Sequence, residues 1–188
     1  MQFNHSPKFQ KKAYKKWLEK NLFSPSINCT LSLYPSITLY DEKGKEFNIS
    51  LGLYSAQQTF RHFKNLLNQK VFGNSYWRFK RQLKIIAVNE YGKNGDNLHY
   101  HCIIEIPKRI KSIPQYKLYN ESLCNSDLLV WAFEGLIKDC WKKCIFANLS
   151  DEKIHLHKPT TNKESSGWLN YIMKNSDKNL VDLRNTHF

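Results

Sequence analysis

Two histidines separated by one residue, His99 and His101, carry the most direct chemical signal in the chain. They open the run His99-Tyr100-His101-Cys102-Ile103-Ile104-Glu105-Ile106, whose β-branched and apolar content suits a strand. Side chains two apart on a strand share a face. Both imidazoles can therefore reach one ion, while Tyr100, Cys102, Ile104 and Ile106 turn toward a core. Glu90 ends the preceding run, Lys84-Ile85-Ile86-Ala87-Val88-Asn89-Glu90, and the polar segment Gly92–Asn97 between the two runs contains an Asn-Gly turn. A hairpin of that length can bring the Glu90 carboxylate beside the two rings. Two nitrogens and one oxygen, with coordination positions left open, suit a divalent ion that also holds a substrate oxygen.

A second set of reactive residues lies near the end of the chain. Glu164–Asn175 reads as a helix carrying Trp168, Leu169, Tyr171 and Ile172, with Tyr171 and Lys174 at i and i+3 on one side. A tyrosine can act as a nucleophile toward phosphorus. Its ordinary pKa of about 10 means that it needs help at neutral pH. Lys174 can supply the positive charge. Taken alone, that helix favours a plainer role, with Tyr171 packed beside Trp168 and Ile172 and Lys174 in solvent.

These residues need a scaffold, and the composition supplies one. The chain has 188 residues, 41% of them hydrophobic and 14% aromatic, enough for one domain with a real core and too much for wholesale disorder. Lys and Arg number 29 against 16 Asp and Glu, a net charge of +13 that points to nucleic acid or an acidic membrane surface. No run is long and apolar enough to span a membrane, and Met1–His5 begins no signal peptide. Five cysteines at irregular spacing suggest free thiols in a reducing, intracellular setting, cytoplasmic if the source is bacterial.

Residues 1–22 read as a basic helix with Pro7 in its first turn, docked by Trp17 and ended by Ser24-Pro25-Ser26. Strands follow at Ile27–Tyr34, Ile37–Tyr40 and Phe47–Leu51. Ser55 caps a helix with Phe60, Phe63, Leu66 and Leu67 on one face, and Gly73 ends it. After the histidine hairpin, Pro107 and Pro114 bracket a basic loop. A helix from Ser126 or Asp127 to about Cys144, a short strand at Lys153–Lys158 and the tyrosine helix complete the order. Asp177–Phe188 reads as a polar, loosely held tail. Strands followed by helices in this order predict an α+β domain, an antiparallel sheet with helices packed on it.

Three segments together resemble the motifs of the HUH endonucleases: Asn28-Cys29-Thr30-Leu31-Ser32-Leu33, then Glu90 with His99-Tyr100-His101-Cys102-Ile103-Ile104, then Tyr171-Ile172-Met173-Lys174. The likeness is to the single-tyrosine initiators of rolling-circle replication in plasmids and small single-stranded DNA viruses, and covers roughly residues 27–176. It implies a central five-stranded antiparallel sheet, with residues 1–24 a basic helical extension, 25–177 the nuclease domain and 178–188 a tail. It implies His99, His101 and Glu90 as metal ligands, Tyr171 as nucleophile and Lys174 as its helper. The ion would be Mg²⁺ or Mn²⁺. Attack by the tyrosine would leave a 5′-phosphotyrosine link and a free 3′-hydroxyl, and the link could be resealed. The chain departs from the pattern at Asn175, where many relatives have an acidic residue, and in the long gap from His101 to Tyr171. Glu105, on the histidine face of its strand, is the substitute for Glu90 as third ligand.

The substrate implied is single-stranded DNA, or origin DNA with an unpaired or hairpin region. Tyr76-Trp77-Arg78-Phe79-Lys80-Arg81 interleaves rings and cations and is the leading candidate to line the approach to the cleft; Lys108, Arg109 and Lys111 form a second patch. The sequence has no P-loop motif, so unwinding falls to a separate helicase or to supercoiling, and extension to a separate polymerase. Three alternatives remain: a single-tyrosine transposase of the same fold, a non-enzymatic basic nucleic-acid binder, and a structural zinc site from Cys140, Cys144, His155 and His157. If phosphate contacts dominate, log affinity for single-stranded DNA falls linearly with log salt, with a slope of about −0.7 per phosphate neutralised. Fluorescence anisotropy across a salt series reads that slope, and salt-independent binding overturns it.

Overall fold

The computed structural model describes residues 7–22, 25–92, 98–111, 125–174 and 179–187; the Asn-Gly turn of the histidine hairpin and Pro114 lie outside them. The elements run α1 (Pro7–Lys20), β1 (Ser26–Ser32), β2 (Ser36–Tyr40), β3 (Glu46–Ser50), α2 (Leu53–Phe72), α3 (Asn74–Phe79), β4 (Ile85–Glu90), β5 (His99–Glu105), α4 (Asn125–Trp141), β6 (Ile154–His157), α5 (Asn162–Ile172) and β7 (Asn179–Val181). The class is α+β. Four strands form the body of an antiparallel sheet in the order β6-β1-β5-β4, and the three-residue β7 extends it along β4.

Strands β2 and β3 pair with each other as a separate ribbon, outside the single sheet expected. Their side chains explain this. Residues of both strands are exposed or half-exposed, Tyr40 and Phe47 among them, so neither strand has a buried face to pin it onto the main sheet.

The main sheet is covered on both sides. On one face Ile27, Cys29, Leu31, Ile85, Ala87, Tyr100, Cys102 and Ile104 meet Phe60, Phe63 and Leu67 of α2 and Phe133, Ile137 and Trp141 of α4. Phe60 stacks on Tyr100 at 4.4 Å between centroids, and Phe63 meets Trp141 edge-on at 5.5 Å. On the other face Ile86, Val88 and Ile103 meet Leu18 of α1 and Leu169, Ile172 and Met173. Leu18, not Trp17, anchors α1: Leu18 is buried, whereas Trp17 is 39% exposed.

Helix ends follow backbone chemistry. Gly52, not Ser55, precedes α2, while Gly73 ends it at φ +57 as expected. Thr161 caps α5, its Oγ1 accepting from the Glu164 amide at 3.2 Å, and the Glu164 carboxylate accepts from the Thr160 amide at 2.7 Å.

The expectation of a loosely held tail is corrected. After β7 the chain pairs His187 with Ile85, each amide donating to the other carbonyl at 2.7 Å. Asp182 and Asn185 are buried. The Tyr100 hydroxyl donates to Asp182 Oδ2 at 3.0 Å, and Asn185 Nδ2 donates to the same oxygen at 2.7 Å. A buried carboxylate needs such donors. Replacing Tyr100 with Phe removes one and should lower stability by about 1–3 kcal/mol. Urea denaturation measures this; an unchanged midpoint would show that the bond does not hold the tail.

Candidate active site

The hairpin register sets the first part of the site. Glu90 lies directly opposite His99, and Val88 opposite His101. Val88 and Glu90 alternate on one face of β4, so Glu90, His99 and His101 all rise from the face that α5 covers. His101 Nε2 is 2.8 Å from Glu90 Oε2 and 3.1 Å from His99 Nε2, and His99 Nε2 is 3.6 Å from Glu90 Oε2. One ligand atom from each residue lies within 4.8 Å of the other two. His101 is 3% exposed, and its partners are half-buried.

The electrostatics favour a cation here. Burial, and then the neighbouring His99, hold His101 well below the ordinary imidazole range against the opposing pull of Glu90. Its ring is therefore neutral at neutral pH, the form that ligates metals. Across the sheet, Thr30 on β1 is the register partner of His101, and its Oγ1 lies 3.0 Å from His101 Nδ1. With the ring proton on Nδ1 donated to Thr30, the Nε2 lone pair faces a carboxylate oxygen and a second imidazole nitrogen. Three such acceptors at these distances repel one another unless positive charge lies among them. The donor set thus fits a divalent ion, one oxygen and two nitrogens with positions left open. Glu105 is corrected as a substitute ligand: it sits at the other end of β5, where its carboxylate accepts from the Lys84 amide at 3.2 Å.

Helix α5 brings the tyrosine. Leu169 and Ile172 are buried against Ile86, Val88 and Ile103, two residues along β5 from His101. Residues on the neighbouring side of the helix then lie over the metal ligands. Trp168 meets the His101 ring edge-on at 5.5 Å, and Tyr171 does so at 5.6 Å; the two stack on each other at 5.4 Å and 25°. Tyr171 is 57% exposed, so it is not the packing aromatic that its helix alone suggests. The helix is shorter than expected. It ends at Ile172, and Lys174 lies beyond the Met173 cap with its amide donating to the Tyr171 carbonyl at 3.1 Å.

Other expectations are redistributed. Trp77, Arg78, Lys80 and Arg81 are exposed on and after α3, and Lys108 and Arg109 follow β5. All six flank the Ile85 end of β4 and the Glu105 end of β5, opposite the metal ligands, so they do not line the approach to that cleft. Arg81, Lys108 and Arg109 border one cavity. The zinc alternative fails: Cys140 and Cys144 are buried on the α2–α4 side, with burial raising their thiols to about 11 and 12, whereas His155 and His157 are exposed on the opposite face of β6. The described cysteines, Cys29, Cys102, Cys140 and Cys144, are free. Sequence reasoning missed the roles of Thr30 and Trp168. Spacing on α5 could have revealed Trp168; only the β1–β5 register reveals Thr30.

An antiparallel sheet carrying an imidazole pair and a carboxylate, under a helix with an exposed tyrosine, defines a class of metal-dependent DNA-processing domains. The chain belongs to the Replication-associated protein ORF2 family, whose family model matches residues 36–180, a rolling-circle replication initiator family of the HUH type. No curated protein and no solved structure matches the chain. The matched span contains Glu90, His99, His101, Tyr171 and Lys174 but begins after Thr30. Among the described residues no helix is long and apolar enough to cross a membrane.

Thr30→Val keeps the shape of the side chain and removes the hydroxyl. It should weaken Mn²⁺ binding about 10–100-fold, as loss of a partner behind a metal-bound histidine does. Isothermal titration calorimetry reads the change; unaltered affinity would remove Thr30 from the site.

Proposed function

We propose that the protein initiates rolling-circle replication by nicking single-stranded DNA at an origin, with Tyr171 as the nucleophile. The observation that carries this reading is the exposed Tyr171 ring 5.6 Å from the centroid of His101, the buried member of the Glu90–His99–His101 cluster. Contrast with Tyr100 sharpens it. Burial, and then Asp182, push the Tyr100 phenol far above its ordinary pKa, and its hydroxyl is committed to Asp182. Tyr100 is a structural donor; Tyr171 has the access that a nucleophile needs.

Uncatalysed cleavage of a phosphodiester is extremely slow, so the site must lower a large barrier. A divalent ion held by Glu90, His99 and His101, Mg²⁺ or Mn²⁺, supplies positive charge to the scissile phosphate when bound. The remaining work falls to the chain. Trp168 stacks against Tyr171 and limits the directions its hydroxyl can take. Lys174, close in sequence to the phenol, supplies charge that favours phenolate. Tyr171 Oη forms a bond to phosphorus, the bond from phosphorus to the 3′ oxygen breaks, and the proton lost by the phenol is balanced by one gained at the 3′-hydroxyl.

One phosphodiester replaces another, so the bond energy is retained and a 3′-hydroxyl can reverse the step. Rejoining therefore needs no cofactor that supplies energy. The free 3′-hydroxyl can prime a separate polymerase, and strand separation falls to a separate helicase or to supercoiling.

Tyr171→Phe should abolish the covalent protein–DNA adduct, which denaturing electrophoresis of a labelled oligonucleotide detects with Mn²⁺ present. Its oligonucleotide affinity should stay within about twofold of the unmodified protein, because one exposed hydroxyl contributes little to phosphate-dominated binding. Continued nicking by that variant would locate the nucleophile elsewhere and sink the mechanism.

A further inference from the structure

At the end of the β4–β5 hairpin away from the metal ligands lies a cavity of about 740 Å³. Its two sides differ in chemistry. Val71 and Phe72 of α2 and Val130 of α4 give one an apolar wall, and Arg81, Lys108, Arg109 and Lys111 border the other with positive charge. Glu105 also lines it, but that carboxylate accepts from the Lys84 amide. Lys158, a fifth lining cation, lies 3.6 Å from Asp127.

Parts of the border are fixed by the fold. The Arg81 guanidinium sits 5.7 Å from the Phe72 ring centroid, pairing a cation with an aromatic face. The Lys111 amide donates to the Val71 carbonyl at 2.9 Å, and its ammonium to Ser75 Oγ at 3.3 Å. The Lys111 stem passes so close to Gly73 that a Cβ there would meet its Cδ at 3.3 Å. These contacts tie the loop after β5 to the end of α2.

We infer that this cavity binds one nucleotide unit of single-stranded DNA, the base against the apolar wall and the flanking phosphates on the basic border. An acidic peptide would satisfy the cations but would leave the Phe72 wall unused. A nucleotide uses both, and the volume falls in the usual range for such ligands, about 300–1,000 Å³. An unpaired base is needed because only its freed face can reach the wall. The six steps from His99 to Glu105 along β5 separate this pocket from the metal ligands by about 20 Å. The inference rests on the single-stranded DNA reading above and adds a second contact on the same strand.

The test uses the full chain and a single-stranded oligonucleotide carrying 5-bromodeoxyuridine, with ultraviolet crosslinks mapped by mass spectrometry. Crosslinks at residues 71–81 or 105–111 are expected. Lys108→Glu with Arg109→Glu should reduce oligonucleotide affinity about tenfold or more in anisotropy. Lys43→Glu with Lys45→Glu, an equal charge change on the β2–β3 ribbon, should reduce it less than threefold, and circular dichroism checks that both variants fold. Crosslinks confined to the α5 face, or equal losses in the two variants, overturn the pocket. ATP that blocks the crosslink while leaving oligonucleotide affinity unchanged also overturns it, making the cavity a site for free nucleotide. A Tyr171-dependent adduct without pocket crosslinks removes the pocket and leaves the nicking reading standing. Pocket crosslinks with nicking that survives Tyr171→Phe do the reverse.

Discussion

The alternation of side chains along β5 is the constraint on which the site depends. His99, His101 and Ile103 face α5, while Tyr100, Cys102 and Ile104 face α2 and α4. A slip of one residue would carry both imidazoles into an aromatic core and expose Tyr100 and Cys102. The core resists that slip strongly. Tyr100 stacks on Phe60 and bonds Asp182, and β5 is paired along both edges, to β1 and to β4. The polar cluster therefore inherits its geometry from apolar packing on the opposite side of the same strand.

The same logic explains how a carboxylate and two imidazoles tolerate partial burial. Left alone, such a group would lose hydration without compensation. Glu90 and His99 keep partial access to solvent, and Thr30 satisfies the second nitrogen of His101 from the neighbouring strand. Apolar docking of Leu169 and Ile172 then sets the position of the helix above, which leaves Tyr171 exposed at the rim instead of sealed over the cluster. Two tyrosines of identical intrinsic chemistry are separated by environment alone: one is a buried donor, the other an accessible phenol.

Local patterns carried much of this. Period-two spacing gave the histidine face, the hairpin brought Glu90 opposite His99, and the apolar stripe on α4 marked its buried side. What stayed hidden depends on contacts between distant segments. Asp182 and Asn185 read as tail residues because polar side chains usually seek water, and only the partners Tyr100 and Gln57 make their burial tolerable. Trp17 outranks Leu18 in size, but the turn of α1 presents Leu18 to the sheet. The ribbon of β2 and β3 has the same alternation as a sheet strand, yet its apolar residues are too exposed to dock. Lys108 and Arg109 are far in sequence from Arg81, and they meet only because β4 begins where β5 ends.

That last closure gives the molecule a polarity along one strand. The acceptor cluster lies at the start of β5 and the basic cavity past its end, and no hinge separates them, because β5 is bonded to a neighbour on either side through its whole length. A strand so held is close to a rigid spacer, rising about 3.4 Å per residue. Any chain of phosphates that touched both ends would have its register fixed by that spacing, without a specific contact to every base between. Flexibility in the loops at either end could alter how a substrate enters, but not the separation of the two points. The sheet would then do for DNA position what its alternation already does for the metal ligands, turning backbone geometry into chemical selectivity.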